Sequence, residues 1–164
     1  MRQKHALEVK MKINISVGQD EFLTGYTNID PISKPEGLAV DIRNLDSVAS
    51  DSECTEIIAV DVLDFLEGKE AEQVLKHWIK KLRHNGKIVV GGVDAYEVSK
   101  LLYHGRISLE DFNYLIHGSF SAPWDVKMNH MTLEHVETLM KDSGLQVTKK
   151  RIKDYSFIVE GERP

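Results

Sequence analysis

The chain has 164 residues, of which 41% are hydrophobic and 29% charged, and its formal net charge is −5. That length suits one globular domain over residues 1–164, and that charge argues against bulk nucleic-acid binding. The single cysteine, Cys54, excludes an internal disulfide and a multi-cysteine zinc site, and no apolar run reaches the ~20 residues of a membrane span, so a cytoplasmic protein without membrane partners is expected.

Lys12-Ile13-Asn14-Ile15-Ser16-Val17-Gly18 reads as a buried strand running into a tight turn. Tyr26-Thr27-Asn28-Ile29-Asp30 reads as a second strand ending in a carboxylate, a group that can accept hydrogen bonds from a ribose diol. Leu38-Ala39-Val40-Asp41 is a short third strand entered through Pro31 and Pro35, and Glu56–Val60 is a fourth. Ala71, Val74, Leu75, Trp78, Ile79 and Leu82 then recur at the helical period, and Asn85-Gly86 is expected to end that helix. Lys87–Gly91 is a fifth strand, leading to Asp94.

The last third is more helical. Ala95 to His104 forms one helix, and Ser108-Leu109-Glu110-Asp111 reads as a capping box opening another. Residues 119–131 have no periodicity and hold Trp124, Asp125 and His130. Thr132 starts a final helix stopped by Gly144, and residues 146–152 and 155–160 read as a closing antiparallel pair. Alternating strands and helices imply an α/β fold, with a mostly parallel sheet covered by helices on both faces. His77, His84 and His104, on or beside helices, are expected to be solvated. The run Lys149-Lys150-Arg151 with Lys153 reads as a charged edge that discourages strand pairing.

Five segments together resemble the class I S-adenosylmethionine-dependent methyltransferases, over about residues 12–160. They are Ile13–Gly18, Asn28-Ile29-Asp30, Asp41–Leu45, Ala59–Leu66 and Leu82–Val90. The resemblance implies a Rossmann-like, seven-stranded sheet and S-adenosyl-L-methionine as cofactor. It further implies a cofactor site of Ser16, Val17 and Gly18 beside the ribose and methionine, Asp30 on the ribose hydroxyls, Asp41 and Ile42 at the adenine, and Val60 and Asp61 at the methionine end. His130 resembles a histidine that a compact subgroup carries before its last helix, and is the candidate for a substrate-side catalytic role. Asp61 and Asp64 alone do not make a metal site.

Three departures stand beside this likeness. The turn has one glycine where the family has two or three. Asp61 and Phe65 stand where histidines are common, and the connection from Gly18 to Asp30 is too short for an ordinary crossover helix. The expected activity is methyl transfer to an unidentified small or macromolecular acceptor. A non-catalytic binding or regulatory protein on the same fold is the alternative; a nucleotide-dependent oxidoreductase is disfavoured by the absent G-x-G-x-x-G.

Overall fold

A computed structural model of the chain describes residues 10–35 and 39–164. Six strands form one sheet in the order β2-β1-β3-β4-β6-β5. They are β1 (Met11–Ile15), β2 (Thr27–Ile29), β3 (Cys54–Val60), β4 (Leu82–Val93), β5 (Gln146–Lys153) and β6 (Ser156–Glu162). The pairings among β2, β1, β3 and β4 are parallel, whereas β6 runs antiparallel to both β4 and β5. The sheet is therefore mixed, with the closing hairpin in the expected place. Four helices accompany it: α1 (Gly68–Lys81), α2 (Ala95–Tyr103), α3 (Leu109–His117) and α4 (Leu133–Asp142).

The expected seven-stranded, mostly parallel sheet is not what forms among the described residues. Leu38 lies outside them, and Ala39, Val40 and Asp41 run as irregular chain, leaving β2 at the sheet's edge. Side chains of α1 tether the segment that follows. The indole N–H of Trp78 donates to the Ile42 carbonyl at 2.8 Å, and the Leu45 amide donates to Nε2 of His77 at 2.9 Å. Buried Lys81 reaches Asp46 at 2.5 Å and Asp51 at 2.8 Å. The segment is thus held by side chains rather than by a strand ladder. His77, expected in solvent, is an acceptor here, and burial lowers its pKa.

One core runs through the molecule. On one face of the sheet Ile13, Ile15, Ile57, Ala59, Ile88, Val90, Phe157 and Val159 alternate with less buried neighbours and are nearly all inaccessible. Val74, Leu75 and Trp78 of α1 and Val136 and Met140 of α4 join the same cluster. Both α1 and α4 thus pack on this face. Opposite it, Ile58, Val60, Val89 and Ile158 stay half-buried, and Lys12, Glu56, Lys87 and Glu160 form a ladder of ion pairs. The connection from β1 to β2 contains no helix that could cover this face.

Local signals set most helix starts. Ser108 and Asp111 exchange hydrogen bonds as a capping box at α3, and Thr132 caps α4. Asp94 caps α2 through the amides of Tyr96 and Glu97, and its second oxygen takes the Leu133 amide at 2.8 Å, fastening α4 to the end of β4. The end of α1 departs from expectation. The helix stops at Lys81, and Asn85-Gly86 lies inside β4, where Asn85 adopts φ 58° and the Asn85 amide donates to the Arg163 carbonyl at 2.8 Å. A side chain at Gly86 would lie 2.7 Å from the Cys54 carbonyl, so glycine permits close approach of two strands there instead of closing a helix. Among the described residues no helix is long and apolar enough to cross a membrane.

Candidate functional site

The carboxyl ends of β1, β2, β3 and β4 meet along one edge, the place where open α/β sheets hold ligands. The first element there is the glycine turn. After β1 the Ser16 amide still pairs with the Ile29 carbonyl at 2.9 Å, and the chain reverses at Gly18, which takes φ 72°.

Asp30 holds this turn. Its side chain is wholly buried. The Gly18 amide donates to both of its oxygens, at 3.0 and 2.8 Å, and the Ser16 hydroxyl donates at 3.1 Å. The amides of Ile32 and Ser33 add bonds at 2.8 and 3.0 Å. A carboxylate surrounded by backbone N–H donors tolerates burial because each donor replaces a water. In this conformation both oxygens are engaged within the chain.

Beside the turn lies a cavity of about 540 Å³. Val17, Ile42, Phe65, Leu66 and Trp124 supply its apolar walls, and Asp41 and Arg43 supply charge. Arg43 grips Asp41 at 2.9 Å and holds that carboxyl below the usual carboxylate range. Of the cofactor-site residues expected from the sequence, Val17, Asp41 and Ile42 line this cavity. Ser16 and Val60 instead line a separate space of about 200 Å³ under the loop after Gly18.

Asp61 sits at the tip of β3 with φ 56°, a left-handed conformation uncommon for a non-glycine residue. Its amide donates to the Gly91 carbonyl at 2.9 Å, and its carbonyl accepts from the Gln19 side chain at 2.7 Å, linking the tip to the glycine turn. Asp61 is exposed, yet partial desolvation by the chain around it pushes its carboxyl up, against the pull of Lys127.

The irregular stretch predicted at 119–131 folds over this edge. Its stalk is pinned to the loop after β3: the Met128 amide donates to the Asp64 carbonyl at 2.7 Å, and the Asn129 side chain donates to the carbonyls of Leu63 and Leu66 at 2.7 and 2.9 Å. Trp124 at its tip meets Phe65 with ring centroids 5.9 Å apart. His130 is turned elsewhere. Its Nε2 pairs with the Ile116 carbonyl, its buried Nδ1 has no partner, burial lowers its pKa, and it is not among the residues lining the cavity.

Sequence reasoning gave no role to Asp64, which the fold makes unusual. Its side chain is almost fully buried, with Lys127 3.7 Å away, an ion pair longer than a hydrogen bond. Oδ2 has no hydrogen-bond partner. Burial raises its pKa to about 7, with Lys127 opposing and Asp61 reinforcing the rise. Nothing local signals this pair, since its members lie far apart in the chain and meet only when the 119–131 segment closes over β3. Among the described residues no group of three or more His, Cys, Asp or Glu could hold a metal ion.

No family model and no curated protein matches the sequence. The architecture does match solved structures. A methyltransferase from Methanosarcina mazei, described as S-adenosylmethionine-dependent, superposes with a TM-score of 0.63 at 14% identity, over 96% of this chain and 94% of that one. The chain has the S-adenosylmethionine-dependent methyltransferase fold. A possible histamine N-methyltransferase from Thermotoga maritima gives a TM-score of 0.60 at 16% identity, over 94% of this chain and 82% of that one. A magnesium protoporphyrin IX methyltransferase from Synechocystis, solved with bound S-adenosylhomocysteine, gives 0.58 at 13% identity, over 95% and 76%. On the methyltransferase fold, the glycine turn after β1 and the acid after β2 share the sheet edge that carries the cavity.

Proposed function

We propose that this protein binds S-adenosyl-L-methionine at the glycine-turn edge and transfers its methyl group to an acceptor. The observation carrying the reading is the cavity beside Gly18, on a fold shared with methyltransferases of which at least one holds S-adenosylhomocysteine. The residues present suit the ligand. Gly18 carries no side chain of its own, the Trp124 ring resting in that space, and the cavity pairs apolar walls with a few polar groups, the usual make-up of a small-molecule site.

In this reading Val17 and the Gly18 backbone flank the ribose and methionine, and Ile42 and Phe65 sandwich the adenine, with Asp41 as a partner for its amino group. Asp30 acts on the turn, holding the Gly18 amide and Ser16 hydroxyl in place. Bound there, the cofactor supplies a methyl group made electrophilic by a positive sulfur. The protein's task is to align the acceptor and exclude water. The stalk of the 119–131 segment, bonded to the loop after β3, is the water-excluding cover.

Calorimetric titration with S-adenosylhomocysteine tests the reading. Measurable binding by the wild type, weakened by Ile42→Asp in a folded protein, supports it. No binding at millimolar ligand overturns it. The non-catalytic alternative draws on one feature: Asp30 spends its carboxylate on the chain itself. Binding without turnover across a broad acceptor panel would favour that alternative.

A further inference from the structure

We propose that Trp124 is a built-in occupant of the glycine turn, and that a ligand reaches this turn only when the indole leaves. The identity of that ligand rests on the cofactor reading above; the occupancy does not. A Cβ at position 18 would lie 2.3 Å from Cη2 of Trp124, 2.5 Å from Cζ2 and 2.9 Å from Cζ3. The benzo edge of the indole therefore rests on the α-carbon of Gly18, within the space left by the missing side chain. The same bare face of glycine is what a ligand needs if it is to approach the backbone closely. Indole and ligand are rivals for one surface.

The surrounding chain is built to let the ring go. The tip of the segment is cinched to itself: the Ser119 amide and hydroxyl both donate to the Asp125 carboxylate, and the Phe120 amide donates to the Asp125 carbonyl at 3.2 Å. Gly118 starts the tip at φ 90°, and a Cβ there would lie 2.6 Å from the Asp125 carbonyl oxygen, so the tip closes tightly on its own glycine. Of the segment's other apolar side chains, Phe120 is 64% exposed, and Pro123, Val126 and Met128 border the cavity without reaching the bare face of Gly18. The stalk, in contrast, is bonded to Leu63, Asp64 and Leu66. A self-contained tip on a fixed stalk, reaching the glycine turn through one indole, can swing without unfolding anything else.

Such an occupant lowers apparent affinity by the fraction of molecules in which the turn is free. If that fraction is about one tenth, removing the indole tightens binding about tenfold. The experiment is titration of wild type, Trp124→Ala and Trp124→Phe with S-adenosylhomocysteine, with stopped-flow traces of each. Trp124→Ala is expected to bind tighter than wild type, with Trp124→Phe between them. The observed rate in wild type should level off at high ligand, set by departure of the ring, and should stay linear in Trp124→Ala. The wild type carries its own reporter, because Trp78 is buried in the core: emission should shift red on binding as Trp124 enters water. Binding by wild type with equal or weaker binding by Trp124→Ala, or a blue shift on binding, overturns the occupant and makes the indole part of the ligand's wall. Failure of all three proteins to bind overturns the cofactor reading and, with it, any gating of that ligand.

Discussion

Replacing Asp30 separates two roles that the sequence alone cannot tell apart. If the carboxylate served only a ribose, Asp30→Ala would remove ligand binding and leave the fold as stable as before. The structure instead has it fully buried and accepting from Gly18, Ser16, Ile32 and Ser33. Ile32 and Ser33 are accessible enough for water to replace the lost acceptor, but Ser16 is buried and the Gly18 amide is part-buried. Two inward donors left unpaired at about 1–3 kcal/mol each place the cost near 2–6 kcal/mol. For a chain of this size each kcal/mol moves the thermal midpoint by about 2–4 °C. Urea denaturation followed by circular dichroism reads the loss directly, with the slope m unchanged if only stability is affected. Asp30→Asn should behave nearly as badly, because it presents an N–H toward donors. A loss below about 0.5 kcal/mol, the range of inconsequential surface changes, would refute the assignment of Asp30 to the turn.

Trp78→Ala should cost roughly 3–5 kcal/mol, because Trp78 is wholly buried and its N–H holds the Ile42 carbonyl; a loss under about 1 kcal/mol in urea would contradict that packing. Gly18→Val should expel the indole and strain a backbone at φ 72°, giving a red-shifted ligand-free emission spectrum and weaker S-adenosylhomocysteine binding; unchanged emission would mean that ring and turn are not in contact. Asp64 makes stability depend on pH. Its folded pKa, about 7, lies above the ordinary 3.8, so the folded state binds the extra proton between those values and stability falls as pH rises from about 4 to 7. Asp64→Asn should therefore match wild type near pH 4 and exceed it at pH 8 in urea midpoint; parallel pH profiles would refute the buried carboxyl of raised pKa.

Much of the fold was legible because it is encoded locally. The buried run of β1, the helical spacing of α1, the capping box at Ser108 and Asp111, and the Thr132 start of α4 each depend on residues within a turn or two of one another. The closing hairpin was equally readable. What the sequence left open, or led astray, turns on partners distant in the chain. Residues 39–41 have strand-like composition, but the following segment is claimed by Trp78, His77 and Lys81 of a helix some thirty residues on. Asn85-Gly86 has the composition of a helix end, yet its glycine serves a close approach to Cys54. Asp30 was recognisable as an acid at a strand tip, but only packing turned its carboxylate inward. The 119–131 segment could be read as irregular, and its Trp124 faces the cavity, whereas nothing local shows that His130 turns away to pair with Ile116. The Asp64–Lys127 pair had no local signature at all. Local hydrogen bonds and periodicity are written along the chain, but the direction of a side chain at a sheet edge, and the pKa that follows, depend on which distant segment closes over it.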